Sequence, residues 1–401
     1  MNMNNIFLKK IKIESLLKSK TILQIQDGNH GELHPTSKDY IESGDKIPFI
    51  MANDIVNNTI DFENCKHIAR SQADKLRIGF SKTGDILLTH KGTIGSVAIV
   101  PEMNFSYIML TPQVTYYRVN NELLDSKFLS LYFRSPLFQS TLKMWSAQAT
   151  RPYIGITAQK QLELNVPAIS AQKEISSILS TYDTLIELNE KRIKILEEMA
   201  QRLYAEWFIN FRFPGYEKVK MVDSATEFGM IPDKWEIKKL GDVVTLVYGK
   251  ALVADDRCAG DIPVYGSSGI VGTHNEKLAS GPGVIVGRKG NVGSVYWSDK
   301  DFYAIDTTYY VQSPLDLHFV YYLLKAQNFI SSDVAVPGLS RNQAYSIEII
   351  SPSSDIINKF SDFMKSYFNK IVSLKNRNAN LIRVRDLLIS QLVTGKRELR
   401  L

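Results

Sequence analysis

Lys91-Gly92-Thr93-Ile94-Gly95-Ser96-Val97 returns 198 residues later as Lys289-Gly290-Asn291-Val292-Gly293-Ser294-Val295, identical at five of seven positions. A short run rich in apolar residues leads into each copy, at 85–88 and 284–286, and reads as a strand entering a glycine-rich turn. A stretch of this length recurring once, far along the chain, points to a duplicated domain rather than a short-period solenoid.

Working outward, the likeness continues. Thr115-Tyr116-Tyr117 aligns with Thr308-Tyr309-Tyr310 at an offset of 193. Phe128, Tyr132 and Phe138 align with Phe319, Leu323 and Phe329 at 191, each set within a predicted amphipathic helix. Leu162, Leu164 and Pro167 align with Ile347, Ile349 and Pro352 at 185, and Ile13 aligns with Leu240 at 227. The shrinking offset makes the first copy 42 residues longer, a surplus expected to lie in loops.

A long helical pattern follows each proline. Ile175, Tyr182, Asn189, Leu196 and Leu203 are seven apart, as are Phe360, Tyr367, Leu374, Leu381 and Leu388. A second inward line is expected at Ile178, Leu185 and Met199 in one copy and at Phe363 and Val384 in the other. Such heptads predict coiled-coil packing, with Asn189 fixing register at some cost in stability. Arg192 and Arg377 fall where a dry seam would avoid charge, marking an open or partner-facing side. At 1.5 Å per residue, helices of 35–38 residues span about 55 Å, long for one domain's core helix. Two of them pair most economically antiparallel, around a pseudo-two-fold axis. Phe211-Arg212-Phe213-Pro214-Gly215 breaks the first, and the polar stretch to Pro232 reads as a linker.

A chain of 401 residues is long enough for two or three domains. With 44% hydrophobic and 22% charged residues it has the composition of a globular protein. The net charge is only +6, distributed as +4 over residues 1–170, −2 over 171–232, −2 over 233–353 and +6 over 354–401. That footprint is slight for a protein gripping nucleic acid unaided, and it leaves much of the cationic surface to a partner. Cys65 and Cys258 stand apart without metal or redox spacing, as suits a reducing cytoplasm. No apolar run reaches the ~20 residues of a membrane span, and no signal-peptide core follows Lys9, Lys10 and Lys12.

Catalytic signatures are missing: there is no GxxxxGK[ST] loop, no HExxH and no pair of adjacent prolines. No cofactor or metal is expected. Pro232-Asp233 followed by Glu236-Ile237-Lys238 resembles a nuclease acid–acid–lysine set, but its spacing favours a turn and an edge strand beside Trp235. The binding candidates lie in loops: Asn29, His30, Lys91, Thr93, Arg151 and Tyr153 in the first copy, with Asp27 beside them. In the second copy they are Tyr265, Ser267, Arg288, Lys289, Asn291, Arg341 and Asn342, with Ser268 and His274 nearby. Cations and amides suit base edges and phosphates, aromatic rings suit stacking, and glycine allows close backbone approach.

Two globular units, each ending in a proline-led heptad helix, resemble the specificity subunits of type I restriction–modification systems. The resemblance covers nearly the whole chain. It is carried by 25–32 (IQDGNHGE) and 47–55 (IPFIMANDI) in the first copy, and by 261–267 (DIPVYGS) and 287–290 (GRKG) in the second. The bridging 211–215 (FRFPG) and Ile231-Pro232-x-x-Trp235 are similarly typical. It implies a mixed α/β fold: two target-recognition domains, 1–170 and 233–353, separated by long antiparallel coiled-coil helices at 171–210 and 354–393. A linker at 211–232 and a tail at 394–401 complete it. It implies a non-catalytic subunit that reads the two halves of a split double-stranded DNA site, with the helices as a ruler. Two methyltransferase subunits would dock on the helices, and the restriction–motor subunits would join indirectly. The competing readings are an enzyme with an unrecognised site and a coiled-coil adaptor indifferent to DNA.

Overall fold

The computed structural model describes residues 10–31, 33–147, 152–329, 338–395 and 397. The chain divides into two units, one formed by 1–187 with 378–401 and the other by 188–377.

In the first unit a four-stranded antiparallel sheet runs in the order Ile22–Asp27, Val114–Val119, Ile86–Lys91, Thr93–Ile99. In the second, Thr245–Tyr248, Thr308–Gln312, Gly283–Gly287 and Val295–Ser298 repeat that order and sense. A mixed sheet accompanies each. Lys46–Ile50 pairs in parallel with Ile108–Leu110 in one, and Ile262–Gly266 with Tyr303–Ala304 in the other. Phe49 lies opposite Met109 and Val264 opposite Tyr303, so Ile47-Pro48-Phe49 and Ile262-Pro263-Val264 are the same three residues of the repeat.

The predicted equivalence of Ile13 with Leu240 and of Leu162 with Ile347 has a direct counterpart. The Ile13 N–H donates to the Leu162 carbonyl at 2.9 Å, and the Leu240 N–H to that of Ile347 at 2.8 Å. The aligned helices Ser126–Arg134 and Leu317–Lys325 are each capped by an aspartate, Asp125 accepting from the Phe128 N–H and Asp316 from that of His318.

One alignment needs correction. Val114 lies opposite Thr89 and Thr308 opposite Gly287, and both of those partners sit two residues before the repeated lysine. Val114 therefore matches Thr308, and Thr115 matches Tyr309. The Thr-Tyr-Tyr identity is one residue out of register, and a one-residue slip turns every side chain to the other face of a sheet. Nor is the surplus of the first copy irregular. It includes the hairpin Ile55–Val56/Thr59–Ile60, the helical turn Arg70–Ala73 and the edge strand Phe80–Ser81.

The long helices are Ile169–Tyr204 and Ser354–Leu388. Within the first unit, Asp183 meets Arg385 and the Ile186 carbonyl accepts from Asn378 at 3.2 Å. Within the second, the Tyr204 and Trp207 rings meet Phe360. In the first unit rising numbers on one helix meet falling numbers on the other, the sense of an antiparallel pair. The second inward line is not the expected one. Leu185, Met199, Phe363 and Val384 are exposed, while Leu179, Ile186, Ala200, Met364, Ile371 and Asn378 are buried. Spacings of three and four alternate along a heptad, so one correct line is compatible with a neighbour on either side. The globular cores decide: Leu179 and Met364 pack into them.

Each core is completed by the end of the other copy's long helix. Ile389, Leu392 and Val393 enter the first unit's core, and Trp207 and Phe208 the second's. Both ends close in a π-helical turn, Ile389–Val393 and Ala205–Ile209. The expected linker is itself packed. Phe213 stacks on Trp235 at 5.2 Å, and Met221–Asp223 pairs with Met230–Pro232.

Candidate nucleic-acid interface

The repeated turns share the left-handed backbone of their glycines, the first in a tight hairpin and the second in a longer loop between strands. Gly92 and Gly290 have φ of 77° and 76°, and Gly95 and Gly293 are also positive, a region glycine enters without strain. Lys91 and Thr93 in one turn, and Lys289 and Asn291 in the other, are exposed. A second segment closes beside each turn. The Ile154 N–H donates to the His90 carbonyl at 3.0 Å, and the Leu339 N–H to that of Arg288 at 2.8 Å. This brings Tyr153 beside Lys91 and Arg341 to the Tyr248 ring that Arg288 also covers, with Asn342 exposed next to it in sequence. Ser267 lies next to the second turn, its carbonyl accepting from the hydroxyls of Ser294 (2.8 Å) and Tyr296 (3.0 Å).

Other candidates are placed differently. Asn29 is 4% exposed, its N–H donating to the Leu110 carbonyl, and Tyr265 is 5% exposed in a cluster with Phe302 and Ile285. The Tyr265 hydroxyl donates to the Trp297 carbonyl. Both side chains are buried, Tyr265 turned inward by its strand register and Asn29 just beyond the end of Ile22–Asp27. His30 is exposed, whereas His274 is buried with Nδ1 accepting from the Cys258 N–H. Arg151 lies outside the described residues. In the nuclease-like string, Lys238 pairs with Glu236 at 2.9 Å along one strand, and Trp235 closes a turn from Pro232.

Behind the first turn lies a buried polar network. The Thr115 hydroxyl donates to Asp27 at 2.7 Å and meets His90 Nδ1 at 2.8 Å, and Gln159 Nε2 donates to it at 3.0 Å. With the Thr115 proton on Asp27, His90 carries its own proton on Nδ1, and its buried Nε2, 3.8 Å from Asp27 Oδ1, has no hydrogen-bond partner. Burial holds the His90 pKa below the usual histidine range, against the opposing pull of the Asp27 carboxylate and with a smaller push from Lys91. Behind the second turn, the Tyr248 ring carries two guanidiniums, Arg341 at 4.7 Å and Arg288 at 5.1 Å from its centroid. Tyr248 and His90 were missed in the sequence. The available signal was the glycine after Asp27 and after Tyr248. A Cβ on Gly28 would lie 2.0 Å from the Thr111 carbonyl oxygen, and one on Gly249 would lie 2.1 Å from that of Ile305.

Among the described residues no group of three or more His, Cys, Asp or Glu could hold a metal, and no helix is long and apolar enough to cross a membrane. The geometry defines a duplicated scaffold with one lysine–glycine turn, and a second segment closing beside it, in each copy.

The family described as type I restriction modification DNA specificity domain matches residues 17–198 and 232–383, and this chain belongs to it. It is thus the DNA-sequence-recognition subunit of a type I restriction–modification complex, a non-catalytic component. It is similar to the MjaIX specificity subunit of Methanocaldococcus jannaschii, with 25% identity over 97% of this chain and 96% of that one. The HindI specificity subunit of Haemophilus influenzae is 22% identical, over 87% of this chain and 94% of its own length. In fold, the chain resembles the crystal structure of the type I restriction–modification S subunit from M. genitalium. There the TM-score is 0.54 at 17% identity, over 98% of both chains.

Proposed function

We propose that the chain reads a bipartite double-stranded DNA site, one half with residues 1–170 and the other with 233–353. The observation that carries this is the pair of glycine turns, alike in sequence and in φ, each presenting an exposed lysine beside a second polar segment. His30, Lys91, Thr93, Arg151 and Tyr153 meet one half; Ser267, Arg288, Lys289, Asn291, Arg341 and Asn342 meet the other. Asn29 and Tyr265 support the backbone behind them. The helices of 171–210 and 354–393 set the unread gap, with Tyr182, Asn189, Leu196, Leu203, Tyr367, Leu374, Leu381 and Leu388 along their shared seam. The segment 211–232 connects the halves, and 394–401 is a tail.

Two methyltransferase subunits dock on the long helices, and through them the restriction–motor subunits assemble, in the cytoplasm. Exposed Leu188, Ile195 and Met199 on one helix face support a docked partner, because contiguous exposed apolar side chains mark association surfaces. The modest net charge fits a reader whose phosphate grip is shared. The test is nuclease footprinting of the chain bound to its methyltransferase. Two protected patches with a cleavable gap are expected, and one uninterrupted patch refutes the bipartite reading.

A further inference from the structure

The sheet registers make four positions of one unit equivalent to four of the other. Asp27 lies opposite Thr115 and Tyr248 opposite Tyr309, so these two pairs correspond. His90 and Arg288 precede the repeated lysine and accept the matching backbone bonds from Ile154 and Leu339. Two residues beyond those donors come Ile156 and Arg341, each the first residue of a short helix. The backbone is shared, but the chemistry is opposite.

In the second unit the set consists of hydrogen-bond donors. Arg288 and Arg341 share the Tyr248 ring, and Arg341 Nη1 donates to the Leu246 carbonyl at 3.3 Å, which fixes its plane. Among the described residues no carboxylate pairs with either guanidinium. Tyr248 is 46% exposed, so the cluster opens to solvent. A guanidinium held over an aromatic ring, with no carboxylate to pair it, offers its fork to a planar pair of acceptors.

In the first unit the apolar Ile156 stands where Arg341 does, and the groups left free are the acceptors of Asp27 and His90. Asp27 Oδ1 takes the Thr115 hydroxyl, while Oδ2 accepts no bond among the described residues. His90, 1% exposed, holds an Nε2 without a hydrogen-bond partner 3.8 Å from Asp27 Oδ1, and the Tyr153 ring stands exposed 5.6 Å from the imidazole. A carboxylate here repels phosphate and accepts from an exocyclic amine.

We infer that these equivalent positions decide base identity in both half-sites with opposite polarity. Arg288, oriented by Tyr248 and Arg341, donates to the N7/O6 edge of a guanine. Asp27 accepts from the amino group of a cytosine or an adenine in the other half. This rests on the DNA-reading role proposed above.

The test is selection from a randomised duplex library at fixed salt, with the chain bound to its methyltransferase, comparing wild type with Arg288→Lys and Asp27→Asn. Each variant's thermal melt is checked against wild type. Lysine keeps the charge but loses the fork, so Arg288→Lys keeps the salt slope of wild type while binding the wild-type site more weakly. Its preference for guanine at one position falls about tenfold or more. Asp27→Asn alters the preference at one position of the other half, where wild type selects cytosine or adenine. Three results overturn the inference: unchanged preferences in Arg288→Lys; equal weakening on every sequence with a shallower salt slope, the mark of a phosphate contact; or both variants acting in the same half. A wild-type complex selecting no split site overturns the DNA-reading role itself, and only that result reaches so far.

Discussion

Asp183→Asn is the sharpest probe of how the first unit holds the long helices. The carboxylate bridges Arg134 at 3.0 Å and Arg385 at 2.7 Å, joining a helix of the globular core to the end of the second long helix. The two arginine side chains are only 11% and 12% exposed, and the aspartate is 37% exposed. Removing one member of a buried ion pair costs about 3–5 kcal/mol, because the remaining charge is left uncompensated. Solvent reaches this carboxylate and Arg385 keeps Asp386 at 2.9 Å, so about 2 kcal/mol is expected. That corresponds to roughly 30-fold faster hydrogen exchange in 126–134, if exchange there follows opening of this contact.

The pH dependence has a definite sign. Burial works to raise the Asp183 pKa, yet the two guanidiniums outweigh it and hold it below the ordinary value. The stabilisation is therefore complete above the unfolded pKa of about 3.9 and is lost as pH falls through the lower folded value. The gap between wild type and variant should close in strong acid. A variant as protected as wild type at pH 7, or a gap that persists unchanged to about pH 2, would refute the ion-pair account.

Gly249→Ala should cost about 3 kcal/mol, seen as a lowered melting temperature, because its Cβ would meet the backbone carbonyl of Ile305. His90 is held neutral by burial, so the folded pKa lies below the unfolded value of about 6.5. Stability is then full above about pH 6.5 and falls on acidification, and melts from pH 8 to 5 should show a loss that His90→Gln lacks. Inserting one heptad in each long helix adds about 10 Å. At 3.4 Å per base pair, library selection should show the unread gap lengthened by about three base pairs with both half-sites unchanged.

Much of the architecture was legible because duplication doubles every signal. The lysine–glycine turn, the proline before each long helix and the seven-residue spacing of Ile175 and Phe360 each appeared twice. Register was harder. Thr115-Tyr116-Tyr117 could slide by one residue because identity favoured the wrong match, and only pairing partners reveal which face a strand residue takes. The relation of Ile47-Pro48-Phe49 to Ile262-Pro263-Val264 was hidden by the folded insertions between them and the turn. Among site residues, Lys91 and Arg288 were visible by their place in the turn. Asn29 and Tyr265 looked available because polar and glycine-rich neighbours suggest loops, yet tertiary packing turns both inward. Tyr248 has no repeated counterpart to single it out, and only the fold brings Arg288 and Arg341 to its ring.

The central claim is that two independent readers act in one chain. It is tested most directly by replacing residues 233–353 with the equivalent segment of another specificity subunit and selecting the bound sites from a randomised duplex library. One half of the recognised sequence should change while the other half and the gap persist. Change in both halves, or in neither, would contradict it.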